Sequence, residues 1–266
     1  MAEIIINDFN AHQFLSPVVK GERKKCGTVP RDWKKFPHGS LMHAKPFDLP
    51  LIPESEWQSR LDAQVKAKAQ LSDVRNQGMN GKPIPSRDQN GKGYCWAHSS
   101  TSAAMVVRAI MNEPYADLSA YMVACIIKGY ADEGGWGSES LEFIAQNGIP
   151  DSKFWPQQSM SRSNDNAEMR ADAMKHRYTD WRDLDPGQMK AQLVTCLLMG
   201  FPVVTDFDWW SHSVCTIDIV SLDPFRTRIW NSWGDSWSEN GTGVLEGDKA
   251  MPDSALCAIV MTPSPA

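Results

Sequence analysis

Between residues 54 and 70 (ESEWQSRLDAQVKAKAQ), apolar side chains return every fourth position at Trp57, Leu61 and Val65 among strong helix formers. That spacing predicts an amphipathic helix. From Cys95 to Met111 the apolar positions Ala97, Ala104, Val107 and Met111 recur at helical spacing, and the Asn90, Gly91 and Gly93 stretch before them marks a loop feeding a helix. Leu118–Lys128 and Ser138–Gln146 also read as helices, the second closed by Asn147-Gly148. The texture then changes. Pro202–Thr205, Val214–Val220, Arg226–Asn231, Thr242–Glu246 and Leu256–Met261 are β-rich runs parted by Asp, Pro and Gly turns. Helices followed by antiparallel strands predict an α+β plan in two lobes, with a cleft between them as the natural site. Residues 1–50 carry no such period and predict an extended segment that leans on something else.

Composition narrows the function classes. Of 266 residues, 42% are hydrophobic, enough for a sizeable core and too many for a mainly disordered chain. With 27 Lys+Arg against 32 Asp+Glu, the net charge of −5 gives no electrostatic reason to expect nucleic acid or an anionic membrane as partner. The early run Ile4-Ile5-Ile6 is too short for a secretory leader or a membrane span, so the expected setting is soluble and cytoplasmic. Six scattered cysteines without a C-x-x-C pair argue against a zinc cage or a dense disulfide framework. Most of them read as packing residues.

Cys95 stands apart. It follows a glycine-containing loop and opens a helix, where orphan N–H groups and the macrodipole favour a thiolate. The run Arg87-Asp88-Gln89-Asn90-Gly91-Lys92-Gly93-Tyr94-Cys95-Trp96-Ala97-His98-Ser99 resembles the active-site segment of papain-family cysteine proteases, in which a glutamine stands six residues before the nucleophile. Trp210-Ser211-His212-Ser213-Val214 resembles the family's histidine strand, and Asn231-Ser232-Trp233-Gly234 through Trp237 to Gly241 resembles its Asn-Ser-Trp-Gly signature. Leu118-Ser119, Gly134-Gly135-Trp136, Ala145–Ile149 and Trp155-Pro156 resemble its left-lobe landmarks. The resemblance covers about residues 72–262 and implies a papain-like fold, with a helical left lobe and an antiparallel, β-barrel-like right lobe. It implies a cysteine endopeptidase acting on peptide or protein substrates, with no cofactor and no metal.

The chemistry follows from residue types. A thiol is only partly ionised at neutral pH, so an imidazole must take its proton; His212 is the candidate, later protonating the leaving amine. Asn231 can fix the ring's tautomer and angle. The Gln89 amide and the Cys95 N–H suit a developing oxyanion, worth roughly 2.7–4 kcal/mol per donor. Gln77 is the rival donor, since Arg75-Asn76-Gln77-Gly78 also resembles the approach to the site; spacing favours Gln89. By resemblance, Trp233 and Trp237 cover the Asn231–His212 contact, and Gly134 and Gly135 line the substrate cleft. The other histidines (His12, His38, His43, His98, His176) read as surface or satisfied core residues, with His98 packing or tuning where the family has an aromatic.

Three departures matter. Lys92 and Asp132 stand where the family's left-lobe disulfide would begin and end, and Cys125 has no evident partner, which favours a reducing compartment. Cys95 and His212 are 117 residues apart, shorter than the usual span of about 130–150. Residues 1–70 lack the usual inhibitory pro-segment pattern, leaving a pro-segment, a docking arm or a brace as readings of an N-terminal extension before a catalytic domain at 71–266. These features also motivate two rivals. One is a structural component, for example of a virus particle, that reaches an assembly partner through residues 1–70 and works in a cytoplasmic or virion-associated setting. The other is acyl transfer or cell-wall peptide cleavage at the same nucleophile.

Overall fold

The computed structural model describes residues 3–19, 21–40 and 45–263. In chain order the elements are β1 (Ile5–Ile6), β2 (Val18–Val19), β3 (Glu22–Arg23), β4 (Lys45–Pro46), α1 (Glu54–Ala67), α2 (Leu71–Gln77), α3 (Cys95–Ile110), α4 (Ala120–Ile127) and α5 (Gly137–Asn147). There follow α6 (Ala167–Ala173), β5 (Tyr178–Asp183), α7 (Met189–Leu198), β6 (Val203–Phe207), β7 (His212–Leu222), β8 (Phe225–Trp230), β9 (Thr242–Glu246) and β10 (Ser254–Met261).

One sheet of eight strands runs β1-β9-β8-β7-β6-β10-β5-β4. Its centre is antiparallel and its two edges, β1 on β9 and β4 on β5, are parallel. Among the described residues the strand order ends in a two-residue strand at either edge, a loose form of the barrel-like right lobe expected from sequence. Both edges are supplied by residues 3–46, which short connections cannot deliver in parallel.

α3 is the axle between the lobes. It contacts α4 and α5 on one side and β7, β6 and β10 on the other. Every residue from Cys95 to Arg108 is buried, not just the predicted stripe at Ala97, Ala104 and Val107. A helix packed on all faces tolerates polar residues only if they are satisfied, and its serines and threonine turn inward: Ser99 and Ser100 Oγ donate to the Trp96 carbonyl and Thr101 Oγ1 to the Ala97 carbonyl. α5 ends as its sequence predicts. Gly148 has φ +73°, and a Cβ there would lie 1.8 Å from the Ala173 carbonyl oxygen.

The first helix departs from expectation at one point. Trp57 and Leu61 are buried and α1 packs on α7, but Val65 is 52% exposed. The described part of the segment before it leans on the domain at several points. Ile6 is fully buried, the Phe14 carbonyl accepts from Trp210 Nε1 at 2.7 Å, and Arg31 makes two bonds to Asp183 at 2.8 and 2.9 Å.

Candidate active site

Cys95 is the first residue of α3. The turn before it is bent by Asn90 and Gly91, with φ +48° and +67°, and closed by a 2.8 Å bond from the Gly93 N–H to Asp132 Oδ1. His212 opens β7 opposite Phe207, and Asn231 follows β8 with its N–H on the Gly241 carbonyl. The β7–β8 pairing brings these two side chains together: His212 Nε2 lies 2.8 Å from Asn231 Oδ1. An amide oxygen only accepts, so Nε2 carries the proton and Nδ1 holds the free lone pair of a neutral ring. Nδ1 is buried without a partner among the described residues.

Aromatic rings wall off this pair. Trp233 lies tilted over the imidazole with centroids 4.8 Å apart, Trp210 meets its edge, and Trp237 packs edge-on against Trp233. Gln89 is equally buried. Its Oε1 accepts from Ser232 Oγ at 2.6 Å, which turns Nε2 toward the carbonyls of Lys25 (2.7 Å) and Lys92 (2.5 Å). Gln77, the rival donor, sits exposed at the end of α2.

The cleft is filled by the chain itself. Residues 24–29 cross it as a strap. The Gly135 N–H donates to the Gly27 carbonyl at 2.9 Å, the Val29 N–H donates to the Gly135 carbonyl at 3.2 Å, and the Thr28 N–H donates to the Ser211 carbonyl at 3.0 Å. Thr28 Oγ1 lies 3.5 Å from Cys95 Sγ. The fit depends on missing side chains: a Cβ on Gly27 would lie 2.2 Å from the Gly93 oxygen, and one on Gly134 would lie 2.5 Å from the Gly27 oxygen. Nothing in the period or composition of residues 24–29 announces this contact. Trp210 and Ser232, which frame the ring and orient Gln89, were within the resembling motifs but carried no separate signal.

Under the strap, burial favours the neutral forms of Cys95 and His212. Burial pushes the Cys95 thiol up, outweighing the Thr28 hydroxyl and the backbone donors of Ser213 and Gly27. This reverses the lowering expected from the helix terminus alone. Burial pulls His212 down to about 4 against the bond to Asn231. His98 is buried too and pulled down to about 3 by burial, with Arg87 and His212 adding to it. Among the described residues neither of its ring nitrogens has a hydrogen-bond partner, so it is not the satisfied core histidine expected; its ring packs edge-on to Tyr121. His12 is exposed, His38 bonds the Asp183 carbonyl, His176 bonds the Ile149 carbonyl, and His43 lies outside the described residues. Among the described residues no three His, Cys, Asp or Glu side chains converge as a metal site.

The family model for the papain family cysteine proteases matches residues 69–223, more than half of the chain. The chain belongs to the papain family of cysteine proteases. It is a thiol peptidase by that membership. Zingipain-1 of Zingiber officinale is 23% identical over 205 residues, covering 69% of this chain and 91% of that protein; in other curated relatives the share spanned falls to 51%. Two solved structures share the fold. Xylellain, a cysteine protease from Xylella fastidiosa, matches with a TM-score of 0.62 at 17% identity over 90% of this chain and 98% of that one. Digestive procathepsin L 3 of the Tenebrio molitor larval midgut matches with a TM-score of 0.56 at 15% identity over 77% and 90%.

The curated papain-family relatives, zingipain-1 and cathepsin L 1 of Paramecium tetraurelia among them, overturn the cytoplasmic or virion-associated setting expected from sequence. The expectation rested on missing bridges. Five of the six free cysteines are buried and Cys26 is partly so, which shields them whatever the surroundings, and unpaired thiols therefore say little about compartment. Where the family's left-lobe bridge would lie, Lys92 Nζ and Asp132 Oδ2 instead form an ion pair at 3.9 Å, and Lys25 of the strap joins it at 2.9 Å.

Proposed function

We propose that this cysteine peptidase is an endopeptidase that works through an acyl-enzyme on Cys95 and is held shut by residues 24–29. The observation that carries the reading is the 2.8 Å bond from His212 Nε2 to Asn231 Oδ1, which leaves Nδ1 as the proton acceptor. With the strap lifted and water admitted, the desolvation that keeps both groups neutral is relieved, and the Cys95 proton passes to Nδ1. The thiolate attacks the substrate carbonyl carbon, forming a C–S bond while the carbonyl oxygen becomes an oxyanion. Gln89 Nε2 and the Cys95 N–H receive that charge. Nδ1–H then protonates the leaving amine as the C–N bond breaks, and a water, deprotonated by the same nitrogen, releases the acid and restores the thiol.

The strap escapes cleavage by its register. Gln89 holds the Lys25 carbonyl, whereas the groups against Sγ belong to Gly27 and Thr28. The carbonyl at the oxyanion donor and the atoms at the nucleophile come from different peptide units, so no tetrahedral intermediate can form between them.

Labelling with an epoxide thiol trap, read by intact mass, tests this. Full-length protein should label slowly, and Gly27→Leu, whose side chain has no room against Gly93, should label at least about tenfold faster. The gain should vanish with Cys95→Ala and collapse with His212→Ala. Gly27→Leu that labels no faster than an ordinary exposed thiol would sink the endopeptidase reading and favour a silent, structural use of the fold.

A further inference from the structure

The strap carries a lysine into a place where lysines are rarely found. Lys24 is 1% exposed, and its Nζ lies 2.6 Å from Asp88 Oδ2 and 3.2 Å from Glu22 Oε2. Burying an ammonium is tolerated only where a carboxylate waits for it. Asp88 immediately precedes Gln89, and the Gln89 amide holds the carbonyl of Lys25, the residue after Lys24. The lysine thus occupies a pocket one residue away from the oxyanion donor. A cavity of about 360 Å³ opens there, walled on the catalytic side by Asp88, Gly234, Asp235 and Ser236.

The two faces of this pocket differ in what stays behind. Glu22 lies in the short strand that leads into the strap and is 60% exposed, so it moves away with Lys24 when the strap lifts. Asp88 is fixed: its Oδ1 accepts the Asn90 N–H at 2.9 Å, it bridges to Trp233 in the backbone, and the Gly234 N–H is bonded to the Arg87 carbonyl. Its Oδ2 is then left facing the vacated pocket beside Asp235, whose own charge is shared with Ser86 N–H at 2.7 Å and Arg75 at 3.6 Å. Arg31 at the other end of the strap is a different case. Its remaining partners, the Phe36 and Pro37 carbonyls and the Trp33 ring, lie in its own segment, so it staples that segment rather than probing a subsite.

We propose that Asp88 is a specificity-determining residue: its pocket is a substrate subsite for a lysine or arginine side chain on the Gln89 side of the cleft, and Lys24 is its internal occupant. This rests on the endopeptidase reading above. The test uses the full-length chain carrying Gly27→Leu and Lys24→Ala, which frees the pocket without touching its catalytic-side wall. Matched peptide libraries bearing lysine or ε-acetyl-lysine around the cut are followed by mass spectrometry. Lysine peptides should be cleaved about ten- to a hundredfold better in kcat/KM, the range expected for a hydrogen bond to a charged group. Adding Asp88→Asn should bring the two libraries within about twofold by slowing the lysine set only, and Asp88→Glu should restore part of the preference. Equal cleavage of both libraries, with Cys95 still labelled by the epoxide, would overturn the subsite and leave the endopeptidase reading intact. If nothing is cleaved or labelled, that reading falls, and peptide binding to the same chain with Cys95→Ala decides the pocket. Tighter binding of lysine than acetyl-lysine that is lost with Asp88→Asn upholds it, and equal binding overturns it.

Discussion

Asp206 shows how a single buried group can couple stability to the state of the site. It sits on β6 opposite Ser213, the residue after His212, and Ser213 Oγ shares a 2.7 Å bond with Ser99 Oγ on α3. Burial pushes its carboxyl up to about 7, against the Ser213 hydroxyl and the Gly137 N–H, and its Oδ1 has no partner among the described residues. A carboxyl whose folded pKa is raised binds more protons folded than unfolded, so its favourable contribution is complete below about 4 and is lost as pH rises through about 7. Asp206→Asn should therefore raise Tm at pH 8 by several degrees and by much less at pH 4. His212 works in the opposite sense: a ring pulled down to about 4 releases its proton on folding, so the closed state weakens as pH falls from about 6.5 toward 4. Thermal melts of wild type and Asp206→Asn across pH 4–8 check both. A Tm difference that is the same at every pH would refute the assignment to titration.

At this scale the sequence was most readable. Cys95, His212, Asn231 and Gln89 each sit in a short run that resembles a family motif, and the structure pairs His212 with Asn231 at 2.8 Å. Their neighbour Thr28, 67 residues from Cys95 in the chain, depends on a long-range contact that no local pattern encodes.

Among the elements, legibility followed amphipathicity. The strands β6 to β10 were found within two residues at each end, since each alternates or runs apolar between turn residues. α7 was missed because Leu193 to Leu198 are all buried, which erases the polar face that betrays a helix. β5 was missed for the reverse reason: its Tyr-Thr-Asp-Trp-Arg-Asp sequence is polar, and Arg182 and Asp183 are buried only because the N-terminal segment covers them. That cover can be tested. Arg31→Ala would strand the fully buried Asp183 carboxylate, and losing one member of a buried pair costs about 3–5 kcal/mol. The variant should melt earlier and label faster at Cys95, because the staple lies three residues beyond Thr28. Unchanged labelling with a lowered Tm would separate this pair from control of the cleft.

For the molecule as a whole, the decisive feature is that the strap is tied at both ends. Upstream, β1 is a strand of the main sheet, with Ile5 and Ile6 opposite Val244 and Leu245 and the Ile4 N–H on Ser238 Oγ at 2.8 Å. Downstream, Arg31, β4 and the buried Ile52, Trp57 and Leu61 anchor the chain to β5 and α7. A single cut between Lys24 and Thr28 would thus free the cleft without freeing either flank. The upstream piece would stay attached through its sheet pairing, the fully buried Ile6 and the Phe14–Trp210 bond, and the downstream piece is covalently continuous with the domain. Limited proteolysis followed by size exclusion should then yield a nicked species that retains its N-terminal peptide under native conditions, loses it in denaturant, and labels at Cys95 at the rate of Gly27→Leu. Replacing Ile6 by Ala, at a loss of about 2–5 kcal/mol, should let that peptide dissociate after nicking while leaving the labelling rate high. Loss of the peptide from nicked wild type would mean that the segment behaves as a detachable inhibitor. Its retention with Cys95 still silent would mean that the closed state is held by more than the strap.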